Sequence, residues 1–108
     1  MAEQTRAQQL TGDFAPKLAD LTDDVLFGDV WKRDGLSPRD RSLATVSALV
    51  MGGNTDQLVS HVRLALDNGV TVEELGEVLT HLAFYAGWPK ALSAITVARR
   101  VIENTTAS

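Results

Sequence analysis

From Ser42 to Met51 the chain runs ten residues without a charge, and nearly every side of the helix they would form is apolar or small. A helix that lacks a polar face needs cover on all sides. A chain of 108 residues makes one domain and buries only a modest core. Two arrangements could supply the cover: a place at the centre of the monomer, or a neighbouring subunit laid against one side. The second is easier to build at this size, so the segment points to self-association.

The surrounding residues punctuate helices. Ser37-Pro38-Arg39-Asp40 offers an N-cap residue, a proline at the first helical position and an acid in the first turn, and Gly52-Gly53 ends the helix so begun. Asn54-Thr55-Asp56-Gln57 reads as a cap that opens a helix through Asn68, with Gly69 as its stop. Thr71-Val72-Glu73-Glu74 is a capping box, starting a helix with Leu75, Val78, Leu79, Leu82 and Ala86 on one stripe and Gly87 at its close. Pro89 opens a last helix whose apolar residues are Leu92, Ile95, Val97, Val101 and Ile102, and the tail from Asn104 to Ser108 is expected to fray. At the other end a polar lead-in precedes a helical run from about Phe14 to Trp31, carrying Phe14, Leu18, Leu21, Val25 and Val30, with Gly28 placed to break it. No segment alternates as a strand does, and no repeat or linker divides the chain. The expectation is an all-α fold, a single domain over residues 1–108 with its core between about 21 and 102.

Charge and composition remove several functions. A net charge of −4 argues against nucleic acid as a partner, since that affinity rests on neutralising phosphates. The absence of cysteine excludes disulfides, zinc–thiolate sites and thiol redox chemistry in this chain. No apolar run approaches the ~20 residues that span a bilayer, and the N-terminus has no signal-like apolar stretch, so a cytoplasmic protein without a membrane partner is expected. Neither a Gly-rich phosphate loop nor a nucleophile elbow is present.

Two histidines remain as proton carriers. At about 100° per residue, His61 shares a side of its helix with Asn54, Gln57 and Leu64, beside the apolar stripe of Leu58, Val62 and Ala65. A ring at the edge of a core serves either as a general acid or base or as a satisfied structural histidine. His81 has Glu77 one turn before it, Tyr85 one turn after and Glu74 nearby, so a carboxylate could orient its ring; the alternative is a plain hydrogen bond between helices. The two histidines lie on different helices with no recurring ligand spacing, which leaves no metal site to name. Arg33, Arg39, Arg41 and Arg63 are guanidinium forks able to hold a carboxylate, and Phe84-Tyr85-Ala86-Gly87-Trp88-Pro89 could wall a pocket or pack a helix corner.

Taken in order, the segments Gly28-Asp29-Val30-Trp31-Lys32-Arg33-Asp34-Gly35-Leu36, Asp40-Arg41-Ser42-Leu43, His61-Val62-Arg63-Leu64-Ala65-Leu66-Asp67-Asn68-Gly69-Val70-Thr71, Glu77-Val78-Leu79 and Tyr85-Ala86-Gly87-Trp88-Pro89-Lys90-Ala91 resemble a carboxymuconolactone decarboxylase domain. The resemblance runs from about Leu21 to Ile102. It implies an alkylhydroperoxidase-D-like helical fold of about six helices and a homo-oligomer, commonly a hexamer built from trimers or dimers. The thiol peroxidase branch of that family carries two cysteines a turn apart before the histidine and a Glu on the preceding helix; the matching positions here are Asn54, Gln57 and Ser42. Asn and Gln form neither a sulfenate nor a disulfide, so the dithiol cycle is closed to this chain.

The decarboxylase branch implies cofactor-free loss of CO₂ from a lactone, with a proton delivered to carbon. Arg33, Arg41 and Arg63 match its arginines and His61 its recurring histidine, whereas Asp56-Gln57 departs from its His-Glu. Gln57 keeps the hydrogen-bonding shape of that Glu without its proton. The leading expectation is therefore an enzyme acting on a small carboxylated lactone or quinone-like metabolite. His61 would be its acid or base and Gln57 would orient the substrate; Arg33, Arg41 and Arg63 would hold the carboxylate, with His81, Tyr85 and Trp88 as binding wall. The alternative is an oligomeric binding or scaffold protein without catalysis. A peroxidase is the third reading, disfavoured by the missing thiols.

Overall fold

The computed structural model describes residues 3–107, with side-chain environments over residues 3–105. Six α-helices are present: α1 (Arg6–Thr11), α2 (Pro16–Asp20), α3 (Pro38–Gly52), α4 (Thr55–Asp67), α5 (Val72–Ala86) and α6 (Trp88–Ala107), and there is no strand among the described residues. The fold class is all-α, as the sequence indicates. The chain divides into two compact units, Met1–Pro38 and Arg39–Ser108.

In the first unit, the lead-in expected to be merely polar is helical. Its cause is local: Thr5 Oγ1 accepts from the Gln8 N–H at 3.1 Å, and Gln8 Oε1 accepts from the Thr5 N–H at 2.8 Å, a reciprocal capping box. Thr5 Oγ1 also donates to Asp23 Oδ2 at 2.7 Å, which ties α1 to the π-helical turn Leu21–Leu26 that continues α2. The run anticipated from Phe14 to Trp31 is thus helical only from Pro16 to Leu26; it breaks around Gly28 and ends in a 3-10 turn, Val30–Lys32. Phe27 stacks on Trp31 with ring centroids 5.7 Å apart. Ala19 is the one buried residue described in this unit, and Phe14, Leu18, Leu21 and Val25 are exposed.

The second unit holds the core. Val46 and Val50 of α3, Leu58, Val62 and Ala65 of α4, Leu75, Leu79 and Leu82 of α5, and Ala94, Val97, Ala98 and Val101 of α6 form one buried cluster. Their spacings of three and four residues put each set on one stripe of its helix. Burying each Leu or Val contributes ~1.5–3 kcal/mol, so the cluster is what holds the four helices. α6 packs against both α4 and α5.

Two links between these helices are closed by glycine. Gly53 (φ +70°) and Gly69 (φ +99°) adopt left-handed backbones. In each case the next residue reaches back to a helix carbonyl, Asn54 to Leu49 at 2.9 Å and Val70 to Ala65 at 2.9 Å. That is the six-to-one closure expected of a glycine helix stop.

The chargeless helix is covered on one face within the chain: Ser42, Val46 and Val50 are buried, while Ala44, Ala48 and Met51 are exposed. Two expectations need correction here. Asn54 occupies the cap position of α4, but its side chain makes no capping hydrogen bond, because its backbone (φ −87°, ψ 67°) follows directly from the Gly53 turn. Leu92 does not join the apolar stripe of α6; the buried face runs Ala91, Ala94, Ala98 and Val101, and Leu92 lies about 100° round from Ala91 and is exposed. Helix α6 runs through Asn104 to Ala107, with Val101 anchored in the core and Thr105 Oγ1 donating to the Val101 carbonyl at 2.9 Å. Ser108, the last residue of the expected tail, lies outside the described residues. No helix is long and apolar enough to cross a membrane among the described residues.

Candidate active site

The candidate site is built outward from α4. Leu58, Val62 and Ala65 drive one face of this helix into the core, and that fixes His61 at the margin of the buried stripe. The ring is half-buried, and its Nδ1 atom is closed off from solvent. Gln57, one turn earlier, is exposed, as is Arg63. Helix α4 therefore presents an enclosed imidazole edge with an amide beside it at the surface.

Arg41 lies on helix α3. It is half-buried and its Nε is enclosed, in contrast to the exposed Arg63. Its neighbour Ser42 is the only fully buried polar residue described, at 0% exposure, and its Oγ accepts from Asn68 Nδ2 at 3.0 Å. Asn68 is the C-cap of α4. Seven residues separate it from His61, two helical turns or about 10 Å along α4 and on nearly the same side. Spacing alone does not single out this Ser–Asn contact, because two uncharged polar residues 26 positions apart leave no local pattern.

Arg39 does not point to a substrate role. Its guanidinium donates to Glu74 Oε2 and lies 3.6 Å from Asp40 Oδ1. Glu74 Oε1 accepts from the Thr71 N–H at 2.9 Å. The Thr71 backbone hydrogen bond, and then Arg39, hold the Glu74 carboxyl below the ordinary glutamate range. Glu74 is thus committed to capping α5 and pairing Arg39, which corrects its expected part in orienting His81.

His81 and Tyr85 lie together on the exposed side of α5, ring centroids 4.9 Å apart. Trp88 follows the Gly87 corner and meets Phe84 edge-on at 5.2 Å, and both remain exposed. The four aromatic rings therefore form an open surface on the α5–α6 corner. Arg33 belongs to the first unit, where it borders a shallow polar depression of about 410 Å³ lined also by Gly28, Asp29, Lys32, Asp34 and Gly35.

Comparison with known proteins finds relatives of this chain. The pattern defining the carboxymuconolactone decarboxylase family matches residues 16–100. Over 99 residues the chain is 34% identical to a 4-carboxymuconolactone decarboxylase of Acinetobacter baylyi, covering 92% of this chain and 74% of that protein. It is 36% identical over 78 residues to a nitrosuccinic acid decarboxylase of Metarhizium robertsii, covering 72% of this chain and 54% of the relative. An uncharacterized 15.0 kDa protein of Paracoccus denitrificans is 31% identical over 80 residues, 72% of this chain and 60% of its own length.

Proposed function

Because this chain belongs to the carboxymuconolactone decarboxylase family, we propose that it is a cofactor-free decarboxylase-like enzyme for a small carboxylated metabolite, a lactone acid or quinone-like compound, with His61 as its general acid or base. Two of its relatives are named as decarboxylases, one of a carboxylated lactone and one of nitrosuccinic acid. The observation that carries the reading is the enclosed Nδ1 edge of His61 at the margin of the core, within the stretch that matches the family.

Loss of CO₂ breaks a carbon–carbon bond and leaves its electron pair on the substrate carbon, where a proton must arrive. An imidazole can deliver that proton and recover one from water. Enclosure of one ring edge limits the water that would compete for the proton. Arg41, half-buried on α3, is the preferred fork for a substrate carboxylate, and Arg63 offers a second, more solvated one. Gln57 orients bound substrate through its amide without itself carrying a proton. The role of Arg33 rests on its motif position alone.

The test is direct turnover. Purified protein is incubated with a panel of carboxylated lactones, nitro-acids and related diacids, and released CO₂ is measured beside the His61→Ala variant. Turnover that His61→Ala abolishes supports the reading; turnover equal in both proteins removes His61 from the mechanism.

We also propose that the chain works as a homo-oligomer. What supports this is the uncharged face of α3, whose Ala44, Ala48 and Met51 are exposed, together with exposed Phe84, Trp88 and Leu92. A second copy of the chain is the occupant that would cover them.

A further inference from the structure

Asn68 is followed by Gly69, and both stand at the end of the helix that carries His61. An asparagine before glycine is chemically vulnerable, because the glycine has no β-carbon to shield its backbone nitrogen. In the reaction the Gly69 nitrogen forms a bond to Asn68 Cγ while the Cγ–Nδ2 bond breaks; ammonia departs with the proton of the Gly69 amide and a five-membered succinimide remains. Water then opens the ring at one of two carbonyls, giving Asp or its isomer with the backbone routed through the side chain. Overall one amide and one water become one carboxylic acid and one ammonia.

We propose that Asn68–Gly69 is a latent deamidation site, latched by the buried hydroxyl of Ser42. Three contacts oppose the attack. Asn68 Nδ2, the departing nitrogen, donates to Ser42 Oγ at 3.0 Å, which holds the side chain against the core. The attacking nitrogen of Gly69 is itself engaged, its N–H donating to the Leu66 carbonyl at 3.1 Å. Val70 closes the same turn through its bond to Ala65 at 2.9 Å. For the ring to form, Asn68 must leave Ser42 and Gly69 must release Leu66. Gly69 is exposed and no atom lies within 4 Å of where a β-carbon would be, so water reaches the site freely.

The products would not be neutral for the fold. A carboxylate at position 68 sits at the negative end of α4, where the helix dipole disfavours it. The isomerised product adds a backbone atom and dismantles the turn that ends α4. Asn54 and Asn104 are each followed by threonine, whose branched β-carbon shields the next nitrogen, so they act as internal references.

The experiment incubates the full chain at mildly alkaline pH and follows conversion at each asparagine by intact mass and peptide mapping. It compares wild type with Ser42→Ala and Ser42→Cys, circular dichroism reporting that each stays folded. Losing one neutral hydrogen bond should raise the Asn68 rate in Ser42→Ala about fivefold, with Asn54 and Asn104 unchanged. Ser42→Cys keeps the volume, weakens the acceptor and falls between; it carries the test alone if the alanine variant does not fold. Equal Asn68 rates in wild type and a folded Ser42 variant would overturn the latch. So would a wild-type rate as fast folded as in denaturant. Neither outcome touches the decarboxylase reading, because the readout needs no substrate.

Discussion

Arg39 in the first turn of α3 donates to the carboxylate of Glu74 in the first turn of α5, 35 positions away in the chain. The same carboxylate accepts from the Thr71 N–H and completes the cap of α5. One side chain therefore closes a helix start and joins it to a second helix.

That double engagement fixes the sign of an acid effect. The Glu74 carboxyl is held below its ordinary value in the folded chain, first by the Thr71 N–H and then by Arg39. Folding therefore releases a proton here as pH falls into the glutamate range, and the contribution is present above the unfolded pKa and lost as pH drops through the folded one. Wild-type stability, measured by urea unfolding, should decline through that acid window. Glu74→Gln should be less stable at neutral pH and should flatten this part of the profile. An unchanged slope would show that Glu74 does not contribute to it.

Gly87 separates α5 from α6 with φ +97° and ψ 152°, a backbone region open essentially to glycine alone. Gly87→Ala should therefore lower stability by ~1–3 kcal/mol. Urea unfolding should show this as a lower midpoint with an unchanged slope, since the buried surface stays the same. A midpoint equal to wild type would mean that the corner relaxes without strain.

How far the sequence discloses this molecule depends on the range of each contact. The Thr71–Glu74 capping box is legible because both partners sit within one turn, and Leu75, Leu79 and Leu82 announce their stripe by spacing. The α1 helix is legible in principle by the same token, through Thr5 and Gln8, but it has no buried residue and so no apolar period to reveal it. The Arg39–Glu74 and Ser42–Asn68 pairs join positions far apart, and composition carries no trace of such pairings. For the candidate site, helical spacing gives the half-buried edge position of His61, yet it does not distinguish the enclosed Arg41 from the exposed Arg63.

The two histidines differ in a way that activity should report. His61 has one ring edge enclosed at the core margin, whereas His81 is exposed beside Tyr85. On a substrate that the protein turns over, His61→Gln should lose about 10²–10⁴-fold in kcat, the usual worth of a general acid or base. His81→Gln should act mainly on KM, as a wall residue does. Equal effects of the two substitutions on kcat would contradict the assignment of the proton to His61.

Ala48 gives the sharpest test of assembly. It lies on the exposed side of α3, opposite the buried Val46 and Val50, so a longer side chain there does not enter the core. Arginine is nearly as good a helix former as alanine, and Ala48→Arg should leave the helical signal and the core intact. In an assembly that covers this face, the same guanidinium would be driven into an apolar contact without a partner, which is strongly unfavourable. Light scattering on a sizing column should therefore find several chains per particle for wild type and one chain for Ala48→Arg, with matching circular dichroism. A wild-type protein that runs as one chain at micromolar concentration would end the oligomer proposal. An Ala48→Arg variant that keeps the full mass would place the contact on another face, with the aromatic corner of Phe84 and Trp88 as the next to be charged.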